Sequence, residues 1–280
     1  VAAAAESAAS SGAGASAAAP HARKPLERRT VAVPSIDSLN ELQRRVYDAA
    51  MEGGSILLTG GAGVGKSFTL EVVLDGLREL YGSGSVYVTA STGIAACHIG
   101  GTTLHSFAGV GLAKEPAELL VGKMLGWKHV RQRWEKCKVL VVDEVSMVDA
   151  NLFDKLDAVA RGIRELSNIA SVRRVASRPF GGIQLILCGD FYQLPPIDVD
   201  RKGFLFEAKT FESAVQQVVV LSEVYRQKDN SFVNLLNEMR KGKLSKFHEN
   251  LLHAVLRRSH DQLVARAVSE AAERVRRAEA

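Results

Sequence analysis

The chain has 280 residues, of which 46% are apolar and 24% charged, and a net charge of +5. That is an ordinary globular balance with enough apolar material for a sizeable core, and the slight basic excess suits a polyanionic partner without requiring one. Its three cysteines, Cys97, Cys137 and Cys188, are odd in number with no C-x-x-C spacing, which argues against a disulfide framework or a zinc site and for a reducing compartment; no apolar run approaches the ~20 residues of a membrane span.

The stretch 1–35 is predicted to be a disordered leader. Up to about Pro20 it is nearly all Ala, Ser and Gly, too poor in bulky apolar side chains to offset ordering entropy. Arg23, Lys24, Arg28 and Arg29 follow, so it reads either as an organellar transit segment or as a plain low-complexity tail. Val1 in place of a methionine points to a fragment or a processed product.

Order is expected from about residue 36. Ser38 and Glu41 have capping-box spacing, and Leu42, Val46 and Ala49 then recur at helical intervals. The short apolar run Ile56-Leu57-Leu58 breaks into glycines, and a helix with Leu70, Val73, Leu74, Leu77 and Leu80 on its apolar face closes at Gly82. Val86 to Val88 is a strand candidate. Val139 to Val142, Ile183 to Cys188 and Val218 to Leu221 are runs without alternation, the pattern of strands buried on both faces. Helical stretches separate them, notably Leu152 to Ile163, and the alternation predicts an α/β fold with a parallel sheet flanked by helices.

Two stretches read as solvated excursions: Gly111 to Lys138, with Trp127 and Trp134, and Ser167 to Arg178, with Arg173, Arg174 and Arg178. The main domain is expected to span 36–230. Beyond it, 231–280 reads as a helical extension or truncated linker, with Phe232, Leu235, Leu236 and Met239 at helical spacing, a basic patch at Arg240, Lys241, Lys243 and Lys246, and an exposed or frayed end from about Gln262.

Gly60-Gly61-Ala62-Gly63-Val64-Gly65-Lys66-Ser67 fits G-x-x-x-x-G-K-[ST] between an apolar strand and an amphipathic helix. Glycines let successive backbone N–H groups turn inward around a phosphate, and the helix start adds partial positive charge. Lys66 can reach the β and γ phosphates and Ser67 can ligate Mg²⁺; the loop with Phe68 forms the candidate ATP site. Asp143 and Glu144 end the buried run Val139 to Val142, on the edge where open α/β sheets bind ligands. Asp143 is the expected Mg²⁺ partner and Glu144 the group that orients and deprotonates an attacking water. Together the two motifs point to hydrolysis rather than binding alone.

Several further segments carry a family likeness: Val88-Thr89-Ala90-Ser91-Thr92-Gly93-Ile94-Ala95-Ala96, Gly100-Gly101-Thr102-Thr103-Leu104-His105-Ser106-Phe107-Ala108-Gly109, Asp143-Glu144-Val145-Ser146-Met147, Phe180-Gly181-Gly182-Ile183-Gln184-Leu185, Cys188-Gly189-Asp190-Phe191-Tyr192-Gln193-Leu194-Pro195-Pro196 and Val224-Tyr225-Arg226-Gln227. In that order they resemble superfamily-one DNA helicases, above all the petite-integration-frequency type that moves 5′ to 3′ on single-stranded DNA. The likeness runs from about Ser38 to about Lys243.

It implies a RecA-like P-loop domain, the first of two helicase motor domains, acting as a monomer with ATP and Mg²⁺ in the nucleus or mitochondrion. Repair, recombination and telomere or organellar DNA upkeep are the processes it suggests. It further implies that Gln43 reads the adenine, that Gln193 contacts the γ-phosphate and that Arg226 serves as an arginine finger; each has the alternative of an ordinary surface or loop residue. Single-stranded DNA would cross Thr92, His105 and Phe107, with Phe107 open to a core role instead. The sequence ends before any second-domain motif, so the expectation is a fragment that binds ATP, hydrolyses it slowly and does not unwind a duplex. A non-hydrolysing ATP- and DNA-binding module is the rival reading; a small kinase is disfavoured by Gly189 to Gln193, Thr92 and His105.

Overall fold

Strand β1 (Ile56–Gly60) sends Ile56 and Leu58 into one hydrophobic layer and Leu57 into the other. This is the two-residue period of a strand buried on both faces, and it explains the unbroken apolar run. The computed structural model repeats the pattern in β4 (Val139–Asp143), where Val139 and Val141 oppose Leu140 and Val142. In β5 (Gln184–Gly189), likewise, Leu185 and Leu187 oppose Ile186 and Cys188. With β2 (Val86–Ala90), β3 (Thr102–Thr103) and β6 (Gln217–Leu221) these strands make a six-stranded sheet in the order β3-β2-β4-β5-β1-β6. Every pairing is parallel. The structure describes residues 35–225, 230–259 and 261–262; the expected leader up to residue 34, Arg226 and the stretch from residue 263 lie outside them.

Helices α1 (Glu41–Met51) and α2 (Lys66–Tyr81) cover one face through Val46, Ala50, Leu70, Val73 and Leu77. The short α3 (Gly93–His98) follows β2. The other face is covered by α4 (Leu104–Ala108), α5 (Ala117–Gly126), α6 (Lys128–Lys136) and α7 (Ala150–Glu165). This is the three-layer, RecA-like arrangement that alternating strands and helices predict.

The differences from the sequence reading have local causes. The first helix starts at Glu41 with Asn40 as its cap, not at Ser38, which lies in a 3₁₀ turn bonded back to Ser35. Leu80 is 54% exposed and adds nothing to the core. The stretch Gly111 to Lys138 is not a solvated excursion: α5 and α6 bury Leu120, Met124, Val130 and Trp134 under the sheet, while Leu112, Leu119 and Trp127 stay exposed. Charged residues filled the outer side of α6 and masked its narrow apolar stripe. Within 167–178, read from the sequence as a solvated excursion, the chain forms a short helix, Ala170–Arg174. Strand β6 alternates after all, because it is an edge strand: Val219 and Leu221 face α1 and α2 while Val218 and Val220 are 55% and 59% exposed. Beyond β6 come the helix Asn230–Arg240 and a further helix over 246–259.

Candidate nucleotide site

Parallel strands end on a common edge, so β1, β4, β5 and β6 deliver their following loops to one place. The glycine loop leaves β1 and enters α2 at Gly65, which has φ +87°. A Cβ on Gly65 would stand 2.6 Å from Gln43 Nε2, and one on Gly60 would collide with the Leu221 carbonyl oxygen at the end of β6. Glycine is therefore needed twice over, for its dihedral freedom and for the close approach of α1 and β6. The Val64 side chain is buried in the core, so the loop presents its main chain there, while Ala62 and Ser67 are exposed and Gly63, Lys66 and Phe68 half-buried. Lys66 curls back, its Nζ donating to the Gly60 and Gly61 carbonyls at 3.0 and 2.9 Å.

Asp143 closes β4, and Glu144 turns the chain with a left-handed φ of 50°. Its amide donates to Asp143 Oδ1 at 2.9 Å, which fixes the carboxylate. Burial pushes the Glu144 carboxyl up from its ordinary range, aided by the charges of Asp143 and Asp190 and opposed by Lys66. A carboxyl moved toward neutrality is a stronger base than a free one.

Asp190 follows β5 and is 1% exposed. It accepts from the Tyr192 amide at 3.1 Å and from Gln193 Nε2 at 3.2 Å. Arg240 grips it with Nε at 2.8 Å from Oδ2 and Nη2 at 2.6 Å from Oδ1. Burial pushes the Asp190 carboxyl up, but these bonds outweigh burial and hold it below the ordinary carboxylate range.

Gln43 is buried, its Oε1 accepting from the Asn40 amide at 3.0 Å while Nε2 packs over Gly65. Of the two adenine-reading groups that Gln43 offers, the carbonyl is thus engaged in the helix cap. Asn40 Nδ2 donates to the Tyr225 hydroxyl at 2.7 Å and to Glu223 Oε2 at 2.9 Å, and the Tyr225 amide donates to the Gly63 carbonyl at 2.9 Å. Asn40, Tyr225 and Arg240 were not singled out as site residues from the sequence. Asn40 is three residues before Gln43 and carries a visible capping signal, whereas Arg240, fifty residues beyond Asp190, showed only as part of a basic patch. Arg226 lies outside the described residues.

Among the expected DNA residues, Thr92 caps α3 by accepting from the Ala95 amide at 3.2 Å. His105 is half-buried in α4, and burial, against the pull of Asp149, lowers its pKa. Both follow strands of the same edge. Phe107 is different: its ring is fully buried, 5.0 Å from both Tyr87 and Trp134, and takes the core alternative rather than offering a face to a base.

The donors available to a cation are hard oxygens, the Asp143 carboxylate and the Ser67 hydroxyl, and no cluster of three or more metal-ligating side chains occurs among the described residues. That set fits Mg²⁺, which takes one or two protein oxygens and completes its shell from phosphate and water.

Comparison with known proteins matches this arrangement. A family profile described as PIF1-like helicase covers residues 38–253. The ATP-dependent DNA helicase PIF1 of Emericella nidulans is 48% identical over 209 residues, which are 72% of this chain and 27% of that protein. Among solved structures, the Pif1 helicase of Candida albicans superposes with a TM-score of 0.68 at 43% identity, over 75% of this chain and 45% of that one. A Bacteroides Pif1 in complex with ADP-AlF3 and ssDNA gives 0.59 at 29% identity, over 76% and 49%. The chain spans between 23% and 33% of the length of curated relatives such as these. By profile, sequence and fold alike, it belongs to the PIF1-like helicase family.

Proposed function

We propose that the chain binds ATP with Mg²⁺ at the strand edge and hydrolyses it in response to single-stranded DNA, as the first motor domain of a 5′-to-3′ DNA helicase acting in genome maintenance. The observation that carries this reading is the convergence of the glycine loop, Asp143, Glu144 and Gln193 on one edge of a parallel sheet. The relatives' names, ATP-dependent DNA helicase, and the ADP-AlF3 and ssDNA of the Bacteroides neighbour support it. The amides of Gly61 to Ser67 ring the triphosphate, and Lys66 exchanges its two loop carbonyls for phosphate oxygens. Ser67 and Asp143 would hold the Mg²⁺, which would supply charge neutralisation to the phosphates. Glu144 takes the proton of the attacking water, and Gln193 contacts the γ-phosphate. Thr92 and His105 stand on the side where the DNA crosses, and Arg226 adds positive charge to the transferring group.

The test is direct. A fluorescent ATP analogue titrated into the chain should bind, and Lys66→Ala should weaken it roughly tenfold to a hundredfold, the equivalent of about 1.5–3 kcal/mol for a charged hydrogen bond. Glu144→Gln should bind like wild type yet release no phosphate above background with ssDNA present. Equal loss of binding in both variants, or unimpaired turnover in Glu144→Gln, would sink the assignment.

A further inference from the structure

Arg240, the last residue of the helix Asn230–Arg240, bridges two loops that are far apart in sequence. Its Nε and Nη2 form a two-pronged bond to Asp190, and its guanidinium lies 4.7 Å over the Tyr192 ring. The same group lies against the phosphate loop: a Cβ on Gly61 would come within 3.8 Å of Arg240 Cζ and Nη1 and 3.7 Å of Asn237 Oδ1. Tyr192 and Gln193 are exposed. What fixes their turn is Asp190, through the Tyr192 amide and the Gln193 side chain. A buried carboxylate stays charged, and so keeps accepting those bonds, only with a partner. Arg240 is that partner. A cavity of about 320 Å³, lined by Ala62 of the phosphate loop together with Asp190, Gln193 and Arg240, gives the Gln193 amide room to reach toward the loop.

We infer that Arg240 is a positioning residue for recognition of the γ-phosphate: by clamping Asp190 it holds Gln193 where a triphosphate, but not a diphosphate, makes contact. This rests on the ATP-binding reading above. The helix Asn230–Arg240 is then part of the nucleotide machinery, and any movement of that helix is transmitted to Gln193.

The experiment compares the affinities of a slowly hydrolysed ATP analogue and of ADP, with Mg²⁺, for the whole 280-residue chain and for Arg240→Ala, Arg240→Lys, Gln193→Ala and the Arg240→Ala/Gln193→Ala double variant. Arg240→Ala should lose roughly tenfold of the preference for the triphosphate while ADP affinity stays within about twofold, the size expected for one misplaced hydrogen bond. Gln193→Ala should lose as much, and the double variant no more than either, because the two residues act in series. Arg240→Lys keeps the charge but cannot form the fork, and should retain an intermediate preference; this variant carries the test should Arg240→Ala unfold. Unchanged preference in Arg240→Ala or Arg240→Lys, equal weakening of ADP and analogue, or additive losses in the double variant would overturn the inference. A wild-type chain that binds neither nucleotide would overturn the ATP reading first, and this with it.

Discussion

The Phe107 ring sits between Tyr87 and Trp134 with no exposed surface, on a one-turn helix capped by Thr103. Aromatic pairs at these distances add to the area that each ring buries, and truncating such a ring to alanine costs about 3–5 kcal/mol. A base-stacking ring behaves otherwise: its loss removes ~1–3 kcal/mol of nucleic-acid affinity per base and leaves the fold intact. Phe107→Leu separates the two. We expect a stability loss of about 1–2 kcal/mol, less than full truncation, in urea unfolding, and ssDNA affinity by anisotropy within about twofold of wild type, well short of a lost stack. A large drop in DNA affinity at unchanged stability would return Phe107 to the DNA track. Glu144 shows the complementary case. Its left-handed backbone is an uncommon state for a residue with a side chain, and it occurs where β4 must turn sharply to bring two adjacent carboxylates onto one edge. Nothing in the composition of Asp143-Glu144 announces that strain.

Helix α1 is positioned by a reciprocal cap, Asn40 Oδ1 accepting from the Gln43 amide at 2.8 Å and Gln43 Oε1 accepting from the Asn40 amide at 3.0 Å. Asn40→Ala removes both the cap and the bonds to Tyr225 and Glu223. It should destabilise the chain by about 1 kcal/mol, lowering Tm by roughly 2–4 °C for a domain of this size. It keeps the main-chain amide from which Gln43 Oε1 accepts but loosens the turn that carries it, so weaker adenine-nucleotide binding with little change for inorganic triphosphate is expected from competition titrations. Equal weakening of both ligands would place the defect in the phosphate loop instead. The sequence offered Ser38 as the cap, and only the geometry of the turn chooses Asn40. The same limit runs through the other elements. Strands β1, β4 and β5 were legible because burial on both faces forces an unbroken apolar run. The glycine loop was legible because its backbone needs admit few residues. Helix α6 was not, since Val130 and Trp134 are its only buried residues amid Lys128, Arg131, Arg133 and Lys136. Two-residue β3 had no pattern to show, and the exposed side of β6 is a consequence of its place at the edge of the sheet. The bond from Arg240 to Asp190 joins residues whose separation no periodicity encodes.

At the scale of the whole molecule, the candidate catalytic groups Lys66, Glu144 and Gln193 follow strands that end on one edge of one sheet. Translocation along DNA needs something more, a cycle in which two bodies close on the nucleotide and reopen after hydrolysis. The described residues form one sheet with its helices, and the match to curated relatives covers between 23% and 33% of their length. Half of a cleft can bind ATP and align a water, yet without closure it neither excludes solvent nor converts hydrolysis into a step. A polypeptide limited to these 280 residues is therefore expected to release phosphate from ATP more slowly than about 1 s⁻¹, the low end of ordinary enzymes. It should also leave a forked duplex with a 5′ tail fully annealed in a strand-displacement assay run with saturating ATP and a trap strand. Phosphate release and strand separation measured in the same sample give three distinct outcomes. Slow release without separation fits one motor half. Bound ATP with no release at all would make the chain a binding module. Processive separation would show that a single sheet can translocate, and the requirement for closure between two bodies would have to be abandoned for this chain.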